Sequence, residues 1–556
     1  MVRSAYHLLF IVFAALGHAQ AADGRSTQTN ARISIIEMPN AEWRISIDVP
    51  TIEMSTLHVR DMRHVHERCP QIEYEFLGIE NAIFNGSAEL NNGRLILRPA
   101  GQEPISIHYR IRATQSNLSH RVSDLAGCSA ILQDQEYGLI DGRALLLAIR
   151  PFGLDGSPYR IGSTSLEYIS DQLPLFSISN ATPQESGQWH AERIDDYRFS
   201  FFAVGDWRSE VASNNATIPL TILRAGDTEP FSPDAIAAIG HAIDGFWASW
   251  GAVAAERYTA FLTPPSLDSE SFGHFSGIAK PTSAGLYYGL GVSEQTLVFG
   301  LTHEIAHLWV PAQLGGVVVD TWIGEGLAEL SAYIELFRAG YFREQHLVSR
   351  INQAILNTTT REVDLQLVYD TGILAWIVAT ERGVSDLIEH RFDPLFFALR
   401  DGAREPLSSE RFWESAQRLN PSLSQYVGEV DGGLIIEHLP CHLWVNQQRF
   451  VLTHAEWPAH EMGWSLSESE VGIISEVIEG GPAEAAGLEA GDRVTQIETF
   501  GFGENQPSVT VLFERDGRQH SAKFFPHPTE RTIRAPQYLP VSNFNALVSL
   551  SQCGNF

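Results

Sequence analysis

Between residues 30 and 225 the apolar positions recur with a period of two. Trp43, Ile45, Ile47 and Val49 alternate with polar residues, as do Ile105, Ile107, Tyr109 and Ile111. That is the pattern of half-buried strands. Further strands are expected over 144–149, 197–204 and 218–223, separated by turn-rich pieces. Short strands punctuated in this way predict an all-β sandwich over 22–227. No reactive constellation stands out in it.

The pattern changes after 226–231, which reads as a linker. Ser232-Pro233-Asp234 then opens a helix that runs to about Trp250. Serine is its N-cap, proline its first helical residue and aspartate an acid in its first turn. Strands are expected over 258–262 and 285–290. A second helix begins near Ser293 and stops before Pro311. A third runs from about 321 to 339, where Gly340 ends it. Helical patterns continue to about 430. Residues 228–435 therefore read as an α+β, mostly helical domain. A β-rich domain is expected over 436–556, with a strand at 472–477 and a compact unit over 462–526.

Composition narrows the class. The chain has 556 residues, enough for several domains. An apolar share of 44% against 19% charged describes a globular protein with sizeable cores. The formal charge of −29 argues against nucleic acid or an anionic membrane as partner. Arg3, an apolar run over 8–16 and Ala19-Gln20-Ala21 resemble a secretory signal with its cleavage site. The mature chain is expected to begin at Ala22, in the bacterial periplasm or the medium, with no membrane insertion. Such a compartment permits disulfides. Pairing Cys69 with Cys128 and Cys441 with Cys553 keeps each bridge inside one expected domain; four thiols are the other possibility.

The candidate chemistry lies in the second helix of the central domain. Leu301-Thr302-His303-Glu304-Ile305-Ala306-His307-Leu308-Trp309 contains H-E-x-x-H. Positions four apart share a helix face, so His303 and His307 can present both imidazoles to one metal. Glu304 then lies to one side, suited to take a proton from a zinc-bound water. A catalytic zinc takes three protein ligands and one water. Glu325, in Trp322-Ile323-Gly324-Glu325-Gly326-Leu327-Ala328-Glu329, is the best candidate for the third. Glu329, one turn on, suits a carboxylate that orients a ligand histidine. A buried helix with two satisfied histidines would mimic the first motif alone. It would not explain the second motif at this distance.

These two motifs resemble the gluzincin metallopeptidases, and most of all the glycyl aminopeptidase family, with its H-E-x-x-H-L-W and W-x-x-E-G. Seventeen residues lie between His307 and Glu325, one fewer than is usual in related aminopeptidases. The resemblance implies a β-rich N-terminal domain, a thermolysin-like catalytic domain, a PDZ domain and one zinc ion per chain. Gly481-Pro482-Ala483 and Ala486-Gly487-Leu488-Glu489-Ala490-Gly491-Asp492 are similar to the core of bacterial PDZ domains. Only the short stretch 500–507 stands where the family has a groove-walling helix. A structural cap and a peptide-binding module both remain open.

The resemblance also implies roles for two other segments. Tyr369, in Tyr369-Asp370-Thr371-Gly372, looks like the Y-x-x-G tyrosine whose phenol stabilises the tetrahedral intermediate. Gly277, Ile278, Ala279 and Lys280 match by position the substrate-lining strand. There a family glutamate holds the substrate's free α-amine. Ala279 falls where that acid should be, and Lys280 beside it would make the cleft less hospitable to a cation. The expected function is zinc-dependent hydrolysis of peptides or proteins, independent of a free substrate N-terminus. A strict aminopeptidase and a catalytically silent scaffold are the alternatives. Oligomeric state is not legible.

Overall fold

The computed structural model describes residues 31–540 apart from a number of loop segments, of which 61–73, 114–130 and 154–163 are the longest. The residues that resemble a signal sequence, together with Cys69, Cys128 and Cys553, lie outside the described residues, so both disulfide expectations do too. No helix among the described residues is long and apolar enough to cross a membrane.

The N-terminal region is β-rich, but it is not a simple two-sheet sandwich. A seven-stranded sheet includes Ala31–Met38, Glu42–Val49 and Ile105–Ala113, and two four-stranded sheets accompany it. The alternating residues Trp43, Ile45, Ile47 and Val49 enter one core with Ile105, Ile107, Tyr109 and Ile111. The reason for the third sheet lies in the strands Tyr137–Asp141 and Phe201–Gly205, which are apolar on both faces. Ile140, Phe202 and Val204 face the N-terminal core. Tyr137, Leu139, Phe201 and Ala203 face the other way, against Leu223, Phe261, Ile278 and Tyr287 of the next domain. A sheet buried on both sides needs continuous rather than alternating hydrophobicity. The strand expected over 197–204 is accordingly shorter, because Ile194–Arg198 forms a helical turn before it.

The central domain begins earlier than residue 228. Its five-stranded sheet contains Trp207–Ser213, Leu220–Ala225, Tyr258–Leu262, Ser283–Tyr288 and Phe275–Lys280, in that spatial order. Leu220–Ala225 pairs in parallel with Tyr258–Leu262. A parallel pair needs a long crossover, and the helix Pro233–Trp250 supplies it. The linker expected at 226–231 is therefore internal to the domain. Ser232 Oγ accepts from Ala235 N at 3.2 Å, as the sequence implied. Phe275–Lys280 is the edge strand, antiparallel to its neighbour.

The C-terminal boundary also moves. His442–Val445, Gln448–Glu461 and His527–Pro540 form a sheet whose Leu443, Val445, Phe450, Leu452 and Tyr538 join the core of the central domain. Asn352 grips the backbone of Tyr538 from both sides, donating to its carbonyl at 3.0 Å and accepting from its N–H at 2.7 Å. Between the two long strands sits the compact unit, with its own core of Ile474, Ala483, Leu488, Val494, Val509, Val511, Phe513, Ala522 and Phe524. It is an insertion into a β-ribbon rather than a terminal domain. It touches the central domain where Ile497 N donates to Gly291 O at 3.0 Å. Gly291 lies two residues before the N-cap of the histidine helix. Residues 501–507, on which the missing groove helix turns, lie outside the described residues.

Candidate metal centre and active-site cleft

Three helices and one strand build the site. The histidine helix, Glu294–Ala306, starts where Ser293 Oγ accepts from Thr296 N at 3.1 Å. The glutamate helix spans Thr321–Arg338, and the tyrosine helix Gln366–Ala379. The edge strand Phe275–Lys280 lies across the histidine helix.

His303, His307 and Glu325 converge. His303 Nε2 is 3.2 Å from Glu325 Oε2 and 3.2 Å from His307 Nε2, and His307 Nε2 is 3.5 Å from Glu325 Oε2. His307 Nδ1 donates to the Val310 carbonyl at 2.7 Å, which leaves Nε2 as the free ligand atom. The triangle fits a metal ion. Bonds of about 2.0–2.1 Å in a tetrahedral site put ligand atoms about 3.3–3.4 Å apart. The field suits a cation as well. Burial pushes Glu325 up, but the two histidines outweigh it and hold the carboxyl well below its usual range. Burial lowers His307, yet Glu325 and Glu304 raise it to about 9.

Glu304 points from the histidine helix to the edge strand. Burial, aided by Glu325, pushes its carboxyl above the ordinary value against the pull of both histidines, and the Ala279 N–H donates to it. Gly277 gives that carboxylate its room, because a Cβ there would lie 2.2 Å from Glu304 Oε1. Gly277 is thus legible as space for the acid rather than only as strand lining.

Tyr369 is brought to the same place. Its ring centroid lies 5.8 Å from that of His303. Its phenol is within hydrogen-bonding reach of Glu325, whose charge, followed by burial, holds it well above its ordinary value. Two glycines allow this. A Cβ on Gly326 would lie 2.2 Å from the Gly372 carbonyl carbon, and one on Gly372 would lie 2.1 Å from the Trp322 carbonyl oxygen. The W-x-x-E-G and Y-x-x-G motifs are the two sides of one helix crossing.

Two expectations are corrected. Glu329 orients no ligand histidine; its Oε1 accepts from Arg350 Nε at 2.5 Å. A carboxylate beside a buried guanidinium pairs with it, since leaving that charge alone is costly. Lys280 does not face the cleft either. Strand alternation turns it to the opposite side from Gly277 and Ala279. There its fully buried Nζ donates to Asp141 Oδ2 of the N-terminal domain at 2.7 Å. Burial pushes Asp141 up, but Arg143 and Lys280 hold it well below the usual carboxylate range. Ile278 likewise enters the interdomain core. Only Gly277 and Ala279 of the four residues border Glu304.

Sequence reading missed Arg350 and Asp141. Arg350 had a signal: it is a lone charge among Leu347, Val348, Ile351, Ala354 and Ile355, all buried. Asp141 sits beside its local partner Arg143, but nothing in the sequence pointed to Lys280, 139 positions away.

A PDZ domain family model matches residues 473–499. No curated protein matches the chain. An aminopeptidase N family protein from Idiomarina loihiensis has a similar structure. Its TM-score is 0.51 at 14% identity, over 90% of this chain and 96% of that one. An M1 zinc metallopeptidase from Deinococcus radiodurans gives a TM-score of 0.43 at 13% identity, over 70% of this chain and 89% of that one. Leukotriene A4 hydrolase from Saccharomyces cerevisiae gives 0.42 at 13%, over 71% and 65%. The first of these likenesses establishes a shared multidomain fold.

Proposed function

We propose that this chain is a zinc metallopeptidase that hydrolyses peptide bonds. The observation that carries the reading is the triangle of His303, His307 and Glu325 with Glu304 buried beside it. The shared fold with an aminopeptidase N family protein supports it. When bound, zinc supplies an acidified water and polarises the scissile carbonyl. Glu304 accepts the proton of the attacking water and returns it to the leaving amine as the C–N bond breaks. The Tyr369 phenol donates to the carbonyl oxygen as negative charge develops on it. The N-terminal signal sequence directs this activity to the periplasm or the medium.

The cleft does not depend on a free substrate N-terminus. Holding an ammonium in a closed cleft requires a carboxylate partner. Ala279 occupies the position where the edge strand would offer one. Four acids around the triangle have partners of their own: Glu325 the histidines, Glu304 the Ala279 N–H, and Glu329 and Asp370 the Arg350 guanidinium. Comparing kcat/KM for matched peptides with free and acetylated N-termini tests this. Similar values are expected; a preference of about 100-fold for the free amine, roughly 2.7 kcal/mol, would establish the aminopeptidase reading instead.

A further inference from the structure

Arg350 sits on the helix Glu344–Thr360, which packs against the tyrosine helix. Its side chain is 10% exposed. A buried guanidinium is costly unless paired. Here Nε lies 2.5 Å from Glu329 Oε1 and Nη1 lies 2.6 Å from Asp370 Oδ1, with those side chains 7% and 0% exposed. Asn357, two turns further along the same helix, donates to the other Asp370 oxygen at 2.7 Å.

The two carboxylates sit in chosen places. Glu329 is one turn after Glu325 on the glutamate helix. Asp370 is the residue after Tyr369 on the tyrosine helix. Arg350 thus joins the two helices at Glu329 and Asp370, and the Tyr369 phenol and Glu325 join them again one turn and one residue away. We propose that Arg350 is the positioning residue that holds the Tyr369 phenol over the metal ligands. It does so by clamping one carboxylate from each of the two helices that cross at Gly326 and Gly372.

The chemistry of the side chain suits the task. The planar guanidinium reaches both acids at once, donating to Glu329 through Nε and standing against Asp370 through Nη1 as a close ion pair rather than a hydrogen bond. Without it, Glu329 and Asp370 would be left as two buried like charges. Their repulsion would act across the helix crossing and shift the phenol sideways, while His303 and His307, on another helix, would keep their geometry. The inference rests on the peptidase reading for its catalytic consequence, but the position of Tyr369 can be read without turnover.

The test uses the full-length protein with Arg350→Met, Arg350→Lys, Tyr369→Phe and the double variant Arg350→Met/Tyr369→Phe, alongside the unmodified protein. Arg350→Met should keep its zinc and its KM while kcat falls about 10²-fold, the cost of a misplacement near 1 Å. In the Tyr369→Phe background the same substitution should cost nothing further, and Arg350→Lys should recover part of the loss. Independently, 3-fluorotyrosine placed at 369 should give one sharp fluorine resonance that shifts or broadens in both Arg350 variants. An unmoved resonance, or fully multiplicative losses in the double variant, would overturn the clamp. If the unmodified, zinc-loaded protein hydrolyses no peptide, the peptidase reading fails, and the fluorine spectrum still decides whether Arg350 positions Tyr369. If Arg350→Met does not fold, Arg350→Lys carries the same spectral test.

Discussion

A Cβ added to Gly326 would lie 2.2 Å from the carbonyl carbon of Gly372, closer than real Cβ contacts come. The obstacle on both sides is backbone, which cannot swing aside as a side-chain tip can. This crossing places Glu325 and Tyr369, one from each helix, against the same metal-ligand cluster. Gly326→Ala or Gly372→Ala should therefore separate the helices. Each is expected to destabilise the protein by about 1–3 kcal/mol, the usual cost of overpacking. Each should also cut hydrolysis more than its fall in melting temperature accounts for. A melting curve and a peptide assay on each variant check this.

Gly277→Ala makes a different prediction. The three atoms nearest the new methyl all belong to the flexible Glu304 side chain rather than to backbone, so the fold can absorb it. The carboxylate must leave its place beside the Ala279 N–H. Stoichiometric zinc with a loss of about 10²–10⁴-fold in kcat is expected, the range for a displaced general base. Unchanged turnover would mean that Glu304 works from another rotamer.

Glu335 predicts a pH dependence of stability. It is buried between helices, above Gly245, with Arg338 as its partner. Burial raises its carboxyl from 4.5 to about 7, against the pull of Arg338. The folded state therefore binds this proton more tightly than the unfolded chain. Its stabilising contribution is complete below the unfolded value and is lost as pH rises through about 7. Glu335→Gln should remove that loss. The variant's melting temperature, relative to the parent's, should climb between pH 5 and pH 8 by an amount equivalent to roughly 1–3 kcal/mol. A constant difference across this range would contradict the assignment.

Much of the site was legible because helix periodicity carries it. His303, Glu304 and His307 share a turn, and Glu325 stands at the start of the next helix in the metal-ligand spacing. The Ser232 cap was legible too, since it acts through a neighbour three residues away, and the histidine helix begins at Ser293 as its pattern implied. What failed was non-local. Leu220–Ala225 has the same alternation whether it joins the N-terminal sheets or pairs with Tyr258–Leu262, and only tertiary pairing decides. Lys280 beside Ala279 looked like a cleft cation, but strand alternation sends it to Asp141, 139 positions away. Glu329 has the spacing of a histidine partner, yet a remote arginine claims it. The insertion of the PDZ-like unit was hidden because its two flanking strands are separated by the whole unit.

The pairing of Cys441 with Cys553 remains an expectation of sequence. Closing a loop of that length should stabilise the C-terminal region by about 2–4 kcal/mol. Non-reducing peptide mapping of material purified from an oxidising compartment should recover the two cysteines in one linked fragment. Separate thiol-bearing peptides would contradict it.

The central claim is that Glu304 serves as proton carrier beside a metal held by His303, His307 and Glu325. Glu304→Gln tests it most directly, because the ligand triangle stays intact while the base is lost. The measurement is zinc content by elemental analysis together with kcat on an internally cleaved peptide. The account predicts one zinc per chain and a fall of about 10²–10⁴-fold or more in kcat. Turnover close to that of the unmodified protein, with zinc still bound, would contradict it.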